Sequence, residues 1–301
     1  MAERLFGVVD LGSNTVHLLV ARSDGRSVTP LADLTAGLRL GGDVDRYGAI
    51  SDAKIDETIR TLQRYQALAA EAGVERLHLL ATQAIRVAHN GAHVRAAILA
   101  ATGLPVQVLT PAQEATLAFI GAAAALPDPG PRAVVDIGGG SMQVAVGAGE
   151  VLWDTMSLPL GAARLAARFL DDDPPTPADE ALLHAYVEGL IGPALPRTRR
   201  PIAACIGVGG TLRRLPQILG AQFGERLPLT GLEEVLADLR ARPAAALAAA
   251  AGIEPERVRL LLPAILVLRE VLRGYYAPPL VVAEYGIREG AVLWLARHDA
   301  I

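Results

Sequence analysis

Two short stretches of the sequence set an aspartate beside residues small enough for a ligand to reach the backbone. In the first, Asp10 precedes Leu11, Gly12, Ser13, Asn14 and Thr15; in the second, Asp136 precedes Ile137, Gly138, Gly139, Gly140 and Ser141. Glycine costs conformational entropy, so its use there needs a reason such as a positive φ or a close approach to the backbone. Successive exposed N–H groups form an anion-binding concavity, and a neighbouring carboxylate can hold Mg²⁺ while the metal bridges phosphate oxygens. Either loop alone reads more simply as a tight hairpin turn. A third glycine-rich turn, Gly207 to Thr211, brings Gly209, Gly210 and Thr211 between a strand and a helix. The three together favour phosphate as the occupant.

The loops sit in a repeat. VVDLGSNTVHLLVA (Val8 to Ala21) and VVDIGGGSMQVAVG (Val134 to Gly147) align without a gap: two valines, an aspartate, an aliphatic residue, a glycine, small or polar residues, then alternating apolar positions. One hairpin appears twice. Its two copies lie too far apart for a solenoid, whose periods are about 20 to 50 residues. Two similar domains facing each other across a cleft account for it better.

The remaining elements alternate between strand and helix, which indicates a layered α/β fold. Ser51 to Ala72 has apolar residues at Ile55, Ile59, Leu62, Tyr65 and Leu68 and ends at Gly73, the pattern of an amphipathic helix with a C′ glycine. Leu77 to Ala81 and Val106 to Leu109 read as strands, with a helix from Gly91 to Ala101 between them. Thr110, Pro111 and Gln113 supply an N-cap, an N1 proline and an N3 partner for a helix running toward Ala125, broken by Pro127 to Pro131. Beyond the second hairpin the sequence predicts a strand at Val151 to Leu158, helices near Ala162 to Leu170 and Thr176 to Ile191, a surface loop at Asp171 to Pro177, a strand at Pro201 to Ile206, and mostly helix after that.

Composition narrows the function. The 301 residues, 51% hydrophobic and 20% charged, belong to a globular chain of about two domains. No apolar stretch reaches the ~20 residues of a membrane span. Met1 to Arg4 leads directly into a strand-like run, with no signal-peptide pattern, so a soluble cytoplasmic protein is expected. Cys205 is the single cysteine, which excludes an internal disulfide. Lys54 is the single lysine and no GxxxxGK[ST] precedes a helix, so there is no P-loop. A net charge of −4 argues against a DNA partner but permits a small anionic substrate. His89 and His93 lack a third metal ligand, and the Arg197, Arg199 and Arg200 cluster reads as a solvated helix end. Arg213 and Arg214 follow the third turn and are candidates to touch phosphate.

An ordered set of strings then resembles the Ppx/GppA family of exopolyphosphatases and guanosine pentaphosphate phosphohydrolases: DLGSN, ATQAIRVAHN (Ala81 to Asn90), QEA (Gln113 to Ala115), DIGGGS, SLPLGAARL (Ser157 to Leu165), DPPT (Asp173 to Thr176), GVGGT and YGIREG (Tyr285 to Gly290). The resemblance covers nearly the whole chain. It implies an actin-like fold of two duplicated RNase H-like domains, 1–122 and 123–301, flanking a central cleft, with the last helix placed to return to the first domain.

It also implies roles. Asp10 and Asp136 would hold Mg²⁺ from opposite walls; backbone N–H groups from Gly12 to Asn14 and from Gly138 to Ser141 would take phosphate oxygens. Arg86 matches the family's motif arginine and would pair with phosphate, as a guanidinium does bidentately. Glu114 matches the catalytic glutamate that orients the attacking water, and its place in the first helical turn favours the ionised form. The sequence departs from the family at Pro111, at Gln113, and at Gln143, where glutamate is usual. The reaction implied is release of terminal phosphate from inorganic polyphosphate, with pppGpp or nucleoside triphosphates as further substrates and a homodimer as the assembly. The neutral Gln143 supports an alternative, a catalytically weak protein that binds or senses polyphosphate or (p)ppGpp. An actin-like kinase sharing only the fold is disfavoured by the QEA and DPPT strings.

Overall fold

The computed structural model describes residues 3–128, 130–298 and 300–301. The parts of the expectations that fall on Met1, Ala2 and Pro129 lie outside the described residues.

Two sheets carry the molecule. In the first, β1 (Arg4–Leu11) and β2 (Thr15–Ser23) form the expected hairpin, β3 (Val28–Gly37) adds antiparallel to β2, and β4 (Leu77–Ala81) and β5 (Val106–Val108) run parallel beyond β1. The order is β3-β2-β1-β4-β5. In the second, β6 (Pro131–Ile137) and β7 (Met142–Ala148) repeat the hairpin, β8 (Val151–Leu158) adds antiparallel, and β9 (Ala204–Val208) runs parallel beyond β6. There β10 (Arg226–Leu227) and β11 (Leu280–Val282) complete the order β10-β11-β9-β6-β7-β8. With β10 set aside at its edge, the second sheet repeats the first strand for strand. The duplicated α/β architecture expected from the repeat is therefore present.

Thirteen α-helices cover the sheets among the described residues. The first half carries α1 (Leu40–Tyr47), α2 (Asp52–Glu71), α3 (Gln83–Val87), α4 (Gly91–Thr102) and α5 (Pro111–Ala125). The second carries α6 (Ala162–Phe169), α7 (Pro177–Ala194), α8 (Leu215–Leu219), α9 (Leu229–Ala241), α10 (Ala244–Ala251), α11 (Pro255–Arg259), α12 (Leu261–Gly274) and α13 (Ile287–Arg297). None is long and apolar enough to cross a membrane.

The start of α5 follows its sequence signal closely. The Thr110 hydroxyl accepts from the Gln113 N–H (3.2 Å), and the Gln113 side chain accepts in return from the Thr110 N–H (2.9 Å), with Pro111 at N1 where its missing donor costs nothing. Pro111 and Gln113 thus both serve this cap. The expected strand at Pro201 to Ile206 instead runs from Ala204 to Val208, because Pro201 has no N–H for the ladder and pairing with β6 begins at Arg132 opposite Ala204.

Helices α5 and α13 tie the halves together. Ala115, Ala118, Phe119 and Ala122 of α5 pack on Val134, Ala145 and Val208 of the second sheet, while Val292 and Leu295 of α13 join Phe6, Val8 and Leu19 of the first. Glycines allow the two helices to touch at the backbone: a Cβ on Gly290 would meet the Leu117 carbonyl at 1.9 Å, and one on Gly121 the Gly286 carbonyl at 2.2 Å. This crossing delivers the start of α5, and Glu114 with it, to the gap between the two hairpin turns.

Candidate active site

The two hairpin turns are built alike. The Gly12 N–H donates to the Thr15 carbonyl and the Gly138 N–H to the Ser141 carbonyl, each at 3.0 Å. Those two donors are consumed by the turns, which removes Gly12 and Gly138 from the expected set of free phosphate donors. The turn carbonyls are tied down from behind. Ser13 accepts from the Gly41 N–H (2.7 Å), Gly138 from Ala162 (2.9 Å) and Gly139 from Arg164 (2.9 Å). A trans peptide unit sets its C=O and N–H in opposite directions, so these anchors turn the N–H groups of Asn14, Gly139 and Gly140 away from α1 and α6. None of the three finds an acceptor among the described residues.

The turns face each other at contact distance. A Cβ on Gly139 would lie 2.6 Å from the Asn14 Cβ, and one on Gly140 would lie 2.5 Å from the Ser13 hydroxyl. Only glycine permits this approach. The third turn joins them at Gly209 (φ +92°), where a Cβ would lie 2.4 Å from a carboxylate oxygen of Asp136. A cleft of about 570 Å³ opens at this meeting point. Asp10, Gly12, Ser13, Asn14, Glu114 and Asp136 line it, as do Gly138, Gly139, Gly140, Ser141, Gln143, Gly209, Gly210 and Thr211. Of the residues expected to act in catalysis, to hold metal or to hold phosphate through the three turns, all are there except Arg86.

Three carboxyl groups converge on the cleft, and burial dominates each. Burial raises Asp10 to about 6, with Arg288 opposing and Glu289 assisting. Burial and then the nearby Asp10 raise Asp136 to about 7, against the pull of Arg213. Glu114, 2% exposed, is raised to about 7 by burial in spite of Arg86, with Asp10 and Asp136 adding to the rise. The expected preference of Glu114 for its ionised form is overturned: desolvation in the cleft wall outweighs a helix terminus.

This donor set fits a hard cation. Oδ1 of Asp10 is buried without a hydrogen-bond partner, and crowded carboxylates that hold protons against their ordinary tendency gain most from a counter-charge. No group of three or more His, Cys, Asp or Glu at ligand spacing occurs among the described residues. Mg²⁺ is usually bound by one or two carboxylates with water and phosphate oxygens, and Asp10 and Asp136 are the carboxylates of the cleft that could supply them.

Arg86 stands behind the wall. Its Nη1 donates to the Glu114 carboxylate and to the Leu109 carbonyl (2.5 Å), so it addresses Glu114 and not the cleft. Arg86, expected to pair with phosphate, has its side-chain contacts with Glu114 and Leu109 in this structure. Gln143 is 2% exposed and donates to the hydroxyls of Ser141 (3.0 Å) and Ser157 (3.1 Å).

Other lining residues went unassigned in the sequence. His17, directly opposite Asp10 in the hairpin register, is held between the hydroxyls of Thr15 (2.7 Å) and Thr35 (2.8 Å). Burial, with Arg288 nearby, lowers it to about 3 and keeps it neutral. Arg288 is itself buried on the cleft wall and pairs with Asp33. A signal for it existed, since Arg288 and Glu289 are charged residues opening a helix that is apolar from there as far as Arg297 at its end. Arg213 lines the cleft as proposed from the sequence; Arg214 does not. The Arg197, Arg199 and Arg200 cluster is exposed in the loop before β9, away from this site.

Comparison with known proteins agrees with the architecture. The family model described as the Ppx/GppA phosphatase family matches residues 19–298. A Mycobacterium leprae protein named exopolyphosphatase 1 is 31% identical, over 95% of this chain and 88% of the relative's length. The crystal structure of the Aquifex aeolicus Ppx/GppA family member superposes with a TM-score of 0.84 at 26% identity, covering 99% of both chains. The fold is also that of a Cytophaga hutchinsonii exopolyphosphatase (TM-score 0.86, 24% identity, 99% of both chains).

Proposed function

The chain belongs to the Ppx/GppA phosphatase family, and from that premise we propose that it hydrolyses the terminal phosphoanhydride of inorganic polyphosphate. The observation that carries this reading is the meeting of two glycine-bearing turns with free amide donors, one preceded by the half-buried Asp10 and the other by the buried Asp136, beside the buried carboxylate of Glu114. Such a site suits a terminal phosphoryl group whose negative charge is spread over several oxygens. Catalysis of phosphoryl transfer is mostly positioning and charge stabilisation, which is what fixed amides supply.

In the proposed reaction a water oxygen attacks the end phosphorus, the bond from that phosphorus to the bridging oxygen breaks, and the shortened chain leaves with the bridging oxygen. The amides of Asn14, Gly139 and Gly140 hold the phosphoryl oxygens. Glu114 orients the water and accepts its proton, and a carboxylate raised to about 7 is well matched to that task near neutral pH. Arg86 holds Glu114 in place. When bound, Mg²⁺ would be held by Asp10 and Asp136 and would offset charge on the phosphate oxygens.

The same anhydride end occurs in pppGpp and nucleoside triphosphates, which are further candidate substrates. Gln143 favours one other reading. It is a neutral side chain, satisfied by two serines, at a position where the family usually has glutamate, and it is compatible with a protein that binds polyphosphate or (p)ppGpp without rapid turnover. Phosphate release from each substrate with Mg²⁺, alongside Glu114→Gln, separates the two. Hydrolysis that falls roughly 10²- to 10⁴-fold in the variant supports the enzyme; tight binding with no release from any substrate supports the sensor.

A further inference from the structure

Arg164, on α6, is joined to both hairpin turns at once. Its backbone N–H donates to the Gly139 carbonyl (2.9 Å), which anchors the second turn. Its guanidinium crosses to the first half, where Nη2 donates to Asp45 Oδ1 (2.6 Å) and Nε to Asp45 Oδ2 (3.2 Å). The same Nη2 reaches the side-chain carbonyl of Gln83 (2.7 Å), oriented so that the Gln83 amide donates to the Ser13 hydroxyl (2.9 Å). This orientation satisfies both neighbours, whereas its reverse would set the Gln83 amide against the guanidinium donors. Ser13 belongs to the first turn, and the terminal amide of Gln83 lies where a Cβ on Gly140 would come within 2.2 Å.

We infer that Arg164 is a positioning residue that fixes the separation of the two phosphate-holding turns, acting through Gln83 and Ser13 on one side and Gly139 on the other. The inference rests on the reading of those turns as the phosphate site. Arg164 does not line the cleft and touches no reacting atom. Its effect therefore falls on how well the turns fit a phosphoryl group held from both sides. Errors of about 1 Å in such a fit cost on the order of a hundredfold. A lysine at this position would keep the charge but lose the planar fork that serves Asp45 and Gln83 together.

The test compares Arg164→Ala, Arg164→Lys, Gln83→Ala and the Arg164→Ala/Gln83→Ala double variant. Two measurements are made with Mg²⁺: kcat and KM for phosphate release from inorganic polyphosphate, and binding of inorganic tripolyphosphate by calorimetry. Arg164→Ala and Gln83→Ala should each weaken tripolyphosphate binding and raise KM about ten- to a hundredfold, with a smaller change in kcat. Arg164→Lys should recover little. The double variant should be no worse than the poorer single, because both cut one linkage. Unchanged binding in the single variants, or losses that multiply in the double, would overturn the inference. Should Arg164→Ala fail to fold, Asp45→Asn with Gln83→Ala carries the same comparison. If the wild-type protein neither binds tripolyphosphate nor hydrolyses polyphosphate, the proposed function itself fails, an outcome distinct from all of these.

Discussion

Gly139 and Asn14, from corresponding turns in the two halves, stand so close that a Cβ on the glycine would lie 2.6 Å from the Asn14 Cβ. The two turns meet at backbone distance, and the geometry of the cleft is fixed there by the lack of a side chain. Gly139→Ala should force the turns apart and raise KM for polyphosphate on the order of tenfold or more. Steady-state phosphate release measures this, and an unaltered KM would mean the contact is not needed for binding.

Acid dependence follows from Glu114. A base raised to about 7 is protonated below that pH, so kcat/KM should rise with pH through the neutral range and level off above it. Arg86 lowers the Glu114 value, and removing that charge in Arg86→Gln should move the midpoint of the rise to higher pH. A pH–rate profile of both proteins checks it; coincident midpoints would show that the pair is not coupled.

Stability without metal should have the opposite slope. Asp136 rises from 3.8 to about 7, Asp10 to about 6 and Glu114 from 4.5 to about 7 on folding, which together outweigh the proton released by the lowered His17, so between roughly pH 4 and 7 the folded state binds more protons than the unfolded chain. Folding stability then falls as pH rises through that window and is flat above it. In EDTA, Tm should decrease between pH 5 and 7.5, Asp136→Asn should reduce the decrease, and added Mg²⁺ should raise Tm most at the alkaline end. A Tm independent of both pH and Mg²⁺ would contradict the cation site.

Much of this site was legible in sequence for a definite physical reason. A hairpin with a buried face has period-two patterning and a turn of small residues, so its two copies could be aligned and their aspartates paired. The cap at Thr110 was equally local, because Pro111 and Gln113 are within one helical turn of it. What escaped depended on tertiary placement. Strand β3 is an edge strand, mostly solvent-exposed and interrupted by Pro30, and lacks the alternation that marks a half-buried strand. Helix α1 contains Gly41 and Gly42, poor helix formers, and is held by a hydrogen bond from the Gly41 N–H to the Ser13 carbonyl, with Leu38 and Arg39 just before it donating to the Asn14 carbonyl. The direction in which Glu114 titrates could not be read from its helix position, since it depends on a wall assembled from α3, β1 and β6.

The cap that sets Glu114 can be weighed directly. Thr110→Ala removes the acceptor for the Gln113 N–H and should cost about 1 kcal/mol in urea unfolding, with Thr110→Ser restoring most of it. No loss in the alanine variant would show that Pro111 alone defines the start of α5.

The central claim is that both halves hold one phosphoryl terminus, and the most direct measurement is phosphate release from polyphosphate by Asp10→Asn and Asp136→Asn at saturating Mg²⁺. One aspartate comes from each half, at matching places in the repeat. The account predicts that each substitution alone lowers the rate about a hundredfold or more. Wild-type rates from either variant would contradict it.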